Sequence, residues 1–529
     1  MATMIERSEA GALLRELGAL RSQVAHEGAR RLAQYADCFP AGYSQSAENL
    51  AHYLALRGHD LRPLQRRLAR QGVSSLGRCE PYVLAKLDQI RAVLSCLAGE
   101  PGAGAVEEVQ AGPAFETGAS ALGARADATL GTPATGRSVR IMVTLPSQAA
   151  REPELVQRLL DAGMEMARIN CAHDGPGEWF DMVRNLRRAE ARSNRRCLVH
   201  LDLPGHRLRT TAIDQARRAS GKARLFQGDR VLLAPNASGL EEPDARADAR
   251  PESARIVCSH PEALRRIQPG QAVWFDEGRL GGTVEHLSTE GARIRITYAA
   301  PKGSVLKPGK AINLPGASLD LPSMSTEDEA ALDFATEYAD SVGLSFVESR
   351  RDTEALLDAL HQRGSPRIRV VTKIETQRGV QNLPEILLST MGRRPLAVMI
   401  ARGDLAVEVG GERLSEVQEE ILWLCEAAHV PVIWATGVLH TLAKKGVAAR
   451  SELTDAAMSG RAECVMLNKG PYIVDAVQTL DGILRRMQDH QSKKTPLMRA
   501  LQLAQDPAPT PVAEGCSPAD RILATEGGA

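Results

Sequence analysis

The sequence predicts an α/β fold: a (β/α)8 TIM barrel with a small β-domain inserted after its third strand, preceded by an all-α N-terminal region. Three observations predict it. Eight short apolar runs occur after residue 138, and most are followed by a segment of helical periodicity. More than a hundred residues, rich in short strand-like runs and turns, separate the third run from the fourth. The first hundred residues instead carry apolar positions at helical spacing.

The N-terminal helical domain takes residues 1–98. "CEPYVLAKLDQIRAVLSCL" places Val83, Leu87, Ile90, Leu94 and Leu97 on one helix face. "SAENLAHYLALRGHDLRPLQRRLARQG" gives two more helices, broken at Gly58 and ended by Gly72. Residues 99–137, with "GEPGAGAVEEVQAGPAFETG", read as a flexible linker because Gly, Ala and Pro dominate. Residues 138–209 and 309–494 form the barrel, with strands "RIMVTL", "MARIN", "CLVHLDL", "SVGLSFV", "RVVTKIE", "LAVMIAR", "PVIWAT" and "ECVMLN". The strand count favours closure over an open doubly wound sheet. Residues 210–308 hold the inserted β-domain, and residues 495–529 read as a disordered tail rich in Pro, Ala and Gly.

Bulk composition narrows the partners. With 529 residues, 43% hydrophobic and 25% charged, the chain has the make-up of a soluble globular protein. Its formal net charge is zero, which argues against a nucleic-acid or membrane surface as main partner. No apolar run is long enough to cross a bilayer, and the N-terminus lacks an apolar signal core. Nine cysteines show no C-x-x-C spacing and no Cys/His cluster. Reduced thiols, a cytoplasmic location and no structural zinc are therefore expected.

Chemistry in such barrels sits at the carboxyl ends of the strands. Read in order, those ends carry Arg168 and Asn170, Asp202, Ser345, Lys373 and Glu375, Arg402 with Asp404, Thr436, and Asn468. Lys373 and Glu375 share a strand face, because residues two apart point the same way. Each charge alone fits a structural ion pair; together they point to one site. Two carboxylates, Glu375 and Asp404, suit a hard divalent cation. Lys373 and Arg168 beside them suit a phosphoryl group, whose transfer needs charge neutralisation and positioning. Gly403 lets a backbone N–H approach a ligand closely, for instance a small carboxylate.

The segments holding these residues resemble those of pyruvate kinase, over roughly residues 140–494. "GMEMARINCAHD" looks like G-M-x-V-A-R-x-N-F-S-H-G, and "LDLPGHRLRT" looks like L-D-T-K-G-P-E-I-R-T. "GKAINLPGASLDLPSMSTEDEAAL" follows the family's K-G-V-N-L-P-G segment. "TKIET" is similar to A-K-I-E-N, "MIARGDLAVEV" to M-V-A-R-G-D-L-G-V-E, and "PVIWATGVL" to P-V-I-x-A-T-Q-M-L. The resemblance implies a glycolytic, cytoplasmic phosphotransferase that moves a phosphoryl group from phosphoenolpyruvate to ADP, giving pyruvate and ATP. It implies that Lys373 stabilises the phosphoryl group and enolate oxygen, and that Glu375 and Asp404 hold Mg2+, or Mn2+ in its place. Gly403, Asp404 and Thr436 would receive the substrate carboxylate, with Thr436 in the proton-delivery network. Arg168 and Arg209 would contact phosphates, and His173, Arg209 and Lys310 would lie on the nucleotide side. The inserted domain would act as a lid.

Departures from the family carry expectations too. Its monovalent-cation site uses an Asn, a Ser, an Asp and a Thr. Here Asn170 and Asp202 remain, but Ala172 and Leu203 replace the other two. Arg207 stands where the family has Glu, and potassium-independent members have Lys there and Leu at the place of Leu203. Arg207 is thus expected to supply the missing charge, and K+ not to be required. "NKGPY" shortens the family's S-G-E-T-A-x-G-x-Y-P loop, and the usual C-terminal regulatory domain is missing from the sequence, which leaves a homo-oligomer open. Two other readings stand: a catalytically weak or inactive pyruvate-kinase-like sensor, and another Mg2+-dependent enolate-forming barrel enzyme. Retention of Lys373 and both carboxylates favours the kinase, as do the nucleotide-side residues.

Overall fold

The computed structural model describes residues 4–35, 39, 41–100, 111–134, 136–215, 221–236, 252–317, 319, 321–493 and 495–496. Eight parallel strands close a barrel: Arg140–Thr144, Met166–Asn170, Leu198–Asp202, Ser341–Leu344, Arg369–Ile374, Leu396–Ala401, Val432–Ala435 and Cys464–Leu467. The first strand pairs with the eighth through Ile141 and Val465, and with the second through Val143 and Ala167. These strands are buried on both faces, which is why they read as continuous apolar runs. Met142, Met166, Val371, Met399, Ile433 and Met466 fill the barrel interior, while Ile141, Val143, Ile169 and Val199 pack outward against the helices.

Local chemistry sets the helices. Pro153–Ala162 has proline in its first turn, buries Val156, Leu159 and Leu160 at helical spacing, and stops at Gly163, whose φ is +118°. Thr326–Tyr338 starts in a capping box between Ser325 and Asp328. Asp328 also accepts the Gly205 N–H at 3.0 Å, so this cap fixes the loop after the third strand.

The inserted domain holds a seven-stranded sheet with its own core, including Val231, Ile256, Phe275 and Ile294. Its entry and exit lie side by side. The Thr210 N–H donates to the Lys310 carbonyl at 2.8 Å, and the Gly309 N–H to the Thr210 carbonyl at 2.6 Å.

The N-terminal region forms helices Met4–Ala33, Ser44–Arg57, Arg62–Arg70 and Val83–Ala98. Val83, Leu87, Ile90 and Leu94 are buried as expected, but Leu97 is 37% exposed. The region docks on the barrel. The Asn49 amide donates to the Ala427 carbonyl at 2.8 Å, and Ser46 Oγ lies 2.9 Å from His429 Nδ1.

One expectation is corrected. Within the segment read as a linker, Ala111–Leu130 is a helix laid across the amino-terminal mouth of the barrel. Ala126 and Leu130 are fully buried, and Arg125 donates to the carbonyls of Ala428 and His429 at 3.1 and 3.2 Å. Its small residues serve close packing: a Cβ on Gly118 would sit 2.5 Å from the Pro81 carbonyl oxygen. Residues 101–110 lie outside the described residues. Of the expected tail, Thr495–Pro496 pairs with Gln491–Ser492, and 497–529 lie outside them. No helix among the described residues is long and apolar enough to cross a membrane.

Candidate active site

The carboxyl ends of the strands open on a cavity of about 490 Å3. Lys373 rises into it one layer above Val371, on the same inward face of the strand Arg369–Ile374. Its ammonium donates to Ser345 Oγ at 2.6 Å and lies 3.1 Å from Asp202 and 3.4 Å from Glu375. Ser345 accepts from the lysine and donates to the Leu203 carbonyl at 2.6 Å, which fixes the direction of both bonds. Burial would push the Lys373 pKa down, but the Asp202 and Glu375 carboxylates outweigh it and raise the value.

Arg168 donates to Asp202 Oδ2, the oxygen that Lys373 also reaches at 3.2 Å, and to Thr144 Oγ1 at 2.8 Å. Burial opposes the Asp202 charge, yet Arg168 and Lys373 hold its carboxyl well below the usual range. Glu375 accepts the Phe346 N–H at 2.7 Å. Burial raises its pKa, Lys373 opposes that, and the nearby Asp404 and Asp202 charges raise it again. The site thus holds carboxylates close enough to repel one another.

Gly403 and Asp404 open the helix Arg402–Val409, whose first N–H groups and dipole favour an anion. A Cβ on Gly403 would lie 2.8 Å from Thr436 Cγ2, so only glycine leaves that approach clear. Thr436 has a φ of +67°, an uncommon conformation for a β-branched residue and one that clusters at functional sites.

Arg168, Asn170, Ala172, Asp202, Leu203, Arg207, Arg209, Lys373, Glu375, Gly403, Asp404 and Thr436 all line this one cavity. Two nucleotide-side residues do not line it. Lys310 pairs with Asp276 at 2.9 Å beside a separate cleft of about 530 Å3. His173 stands outside the lining, and burial followed by the charge of Lys469 pushes its pKa down. Arg402, read as part of the mouth, turns away: it binds Asp455 at 2.5 Å, stacks on Trp434, and donates to the Thr436 carbonyl at 2.6 Å. It therefore holds Thr436 rather than a ligand. Arg207 pairs with Asp404, so the charge facing Asp202 comes from Arg168 and Lys373 instead.

Sequence reasoning gave no role to Ser345 beyond ending a strand. It passed over Glu277, His440 and the two interior methionines of the lining, Met399 and Met466. Glu277 comes from the inserted domain, and no local pattern ties it to the barrel. Among the described residues, no three His, Cys, Asp or Glu side chains are grouped to hold a metal ion.

A family model described as "Pyruvate kinase, barrel domain" matches residues 136–477. The human Pyruvate kinase PKLR is 29% identical over 391 residues, covering 71% of this chain and 64% of the relative. A Pyruvate kinase of Aeropyrum pernix is 33% identical over 355 residues, covering 66% of this chain and 70% of the relative. One of Geobacillus stearothermophilus is 28% identical over 357 residues, covering 66% of this chain and 57% of the relative. The chain thus spans less than two thirds of the human relative's length. With a match of that extent to the family's barrel, the chain belongs to the pyruvate kinase family.

Proposed function

We propose that the chain is a Mg2+-dependent pyruvate kinase that works without K+, passing the phosphoryl group of phosphoenolpyruvate to ADP. One observation carries the reading: Lys373 lies within 3.4 Å of Glu375 in the cavity that Asp404, Gly403 and Thr436 also line. The substrate carboxylate would sit against the helix start at Gly403 and Asp404, beside Thr436. Lys373 would neutralise charge on the enolate oxygen and on the phosphoryl group in transit. Arg168 and Arg209 would steady phosphates, and Lys310 and His173 would meet the nucleotide when the inserted domain closes and excludes water.

The donor set fits Mg2+, or Mn2+. Burial and, against the opposing Lys373 charge, the nearby Asp404 charge raise the Glu375 pKa, a cost that a cation would relieve. Two carboxylates suffice, because Mg2+ sites take their remaining ligands from water and substrate phosphates. Bound there, the ion would neutralise charge on the phosphoryl group. Independence of K+ is supported by the charge already in place: Arg168 and Lys373 face Asp202, and Arg207 faces Asp404.

ATP formation from phosphoenolpyruvate and ADP, in K+-free buffer with Mg2+, tests the reading. Lys373→Met should lower kcat by roughly 10²–10³-fold. No ATP from the wild type, or full activity in the variant, would sink it. The Arg207–Asp404 pair favours a second reading, a weak or silent sensor, because a guanidinium on Asp404 competes with the metal. Phosphoenolpyruvate binding without turnover would select that one.

A further inference from the structure

We propose that His200, with Ser341 behind it, is a positioning residue for the phosphoryl transfer: its Nε2–H is directed at Asp202 Oδ1 and fixes the carboxylate that Arg168 and Lys373 share. The catalytic consequence rests on the kinase reading; the direction of the imidazole does not. His200 precedes Asp202 by two positions on the strand Leu198–Asp202, so both side chains enter the barrel, the imidazole one layer deeper. It is fully buried, in an interior that Met142, Met166, Val371 and Met466 make largely apolar. An imidazole there costs free energy unless its nitrogens find partners. Nδ1 has one, Ser341 Oγ at 2.9 Å, from the residue that pairs with His200 in the parallel register. Nε2 has none among the described residues. Ser341 therefore explains only half of the ring.

The other half is explained one step up. Gly343 pairs in register with Asp202. A Cβ on Gly343 would lie 2.8 Å from His200 Nε2 and 2.9 Å from Asp202 Oδ1, so both atoms face one point above a bare Cα. Asp202 Oδ1 lies 3.1 Å from the Lys373 ammonium but has no aligned hydrogen bond, whereas Oδ2 accepts from both Arg168 and Lys373. Two buried polar atoms thus lack hydrogen bonds and share one point of approach. With the ring proton on Nδ1, the Nε2 lone pair would face a carboxylate oxygen. With the Ser341 hydroxyl donating to Nδ1, the proton sits on Nε2 and is donated to Asp202 Oδ1, directly or through one water. Burial, joined by the charges of Arg168 and Lys373, keeps the ring uncharged, its pKa lowered to about 4 against the pull of Asp202.

What the bond does follows from what Asp202 holds. Its carboxylate anchors Arg168 and Lys373 together, and Lys373 rises into the cavity from that anchor and from Ser345. A carboxylate free to turn would let the ammonium shift against Glu375 and the group in transit, and small misplacements of this kind are costly in rate. His200 touches neither substrate nor metal and acts through Asp202.

The full chain labelled with 15N-histidine tests the tautomer without turnover. Two-bond 1H–15N correlations at neutral pH, with the His200 signals identified by their loss in His200→Gln, should place the proton on Nε2. A proton on Nδ1 would overturn the proposal. Kinetics test the role. His200→Leu keeps bulk and removes the donor; it should lower kcat by about 10–100-fold and change KM for phosphoenolpyruvate by less than about threefold. His200→Gln, whose amide nitrogen can stand in for Nε2, should recover most of the rate. A ring that only fills the core would give no such difference between the two variants. Unchanged kcat in folded His200→Leu, or His200→Gln no faster than His200→Leu, would refute the role, and the tautomer decides where the leucine variant fails to fold. A wild type with the proton on Nε2 that forms no ATP would uphold the imidazole assignment and count against the kinase reading alone.

Discussion

Glu408 shows how one side chain can tie the stability of this fold to pH. It lies on the helix Arg402–Val409, which also carries Gly403 and Asp404. Burial is the main force on it; the N–H groups of Gln377 and Gly316 oppose that, and Glu348 and Asp404 repel it, leaving its pKa raised to about 7. An unfolded glutamate ionises near pH ~4.3. Between those values the folded chain binds more protons than the unfolded one, so stability falls as pH rises from about 4.3 to about 7 and is level above. Glu408→Gln removes that slope. From pH 5 to pH 8 the urea-unfolding difference should move in the variant's favour by up to about 3 kcal/mol. An unchanged difference would refute the argument. Lys373 carries the same sign in a more alkaline window. Its raised folded pKa means that its stabilisation is whole below the unfolded value, near ~10.4, and is lost only as pH climbs through the folded one.

At the scale of elements, the docked helices turn on His429. Its Nδ1 faces Ser46 Oγ and its Nε2 faces the Pro81 carbonyl, both at 2.9 Å. One residue thus binds the helix Ser44–Arg57 and the turn before Val83–Ala98 to the barrel. Burial lowers its pKa to about 4, so the docked form keeps it neutral. The stabilisation is present above the unfolded value, near ~6.5, and is lost as pH falls from there to about 4. His429→Asn keeps a residue that tolerates the positive φ of 51° but cannot span both partners. Hydrogen exchange in Ser44–Arg57 should rise in this variant, by about 1–3 kcal/mol of lost protection, while the barrel strands stay protected. Equal loosening of the strands would mean that His429 serves the barrel itself. None of this docking was legible beforehand. The barrel strands were, because burial on both faces writes an unbroken apolar run. Lys373 and Glu375 were legible because charges end such a run. The helix Ala111–Leu130 was not: Gly118 and Gly123 are poor helix formers, and packing against the barrel mouth overrides that propensity. Ser46 and His429 lie 383 positions apart, beyond any local pattern.

For the whole molecule, the charges around the cavity must balance across the barrel and the loop that leads into the lid. Asp202, Glu375 and Asp404 pair with Arg168, Lys373 and Arg207, and Glu277 and Arg209 add one further charge of each sign to the same lining. Arg207 comes from the lid-entry loop and reaches Asp404, on the far side of the site in sequence. That cross-molecule pair is where this chain departs from a family that has Glu at the position. Arg207→Glu removes one positive charge and adds a negative one to a partly buried site, where nearby charges interact at about 4 kcal/mol for a 4 Å separation. The cavity then carries an excess of acid that a mobile cation can offset. If the kinase reading holds, the wild-type rate should change by less than about twofold when K+ is added, while Arg207→Glu should lose ~10-fold or more without K+ and regain part of it with K+. Rates measured across a K+ series, at constant ionic strength made up with a tetraalkylammonium salt, separate this from general screening. A wild type that gains strongly from K+ would show that Arg207 does not stand in for the ion, and that its pairing with Asp404 serves the resting site instead.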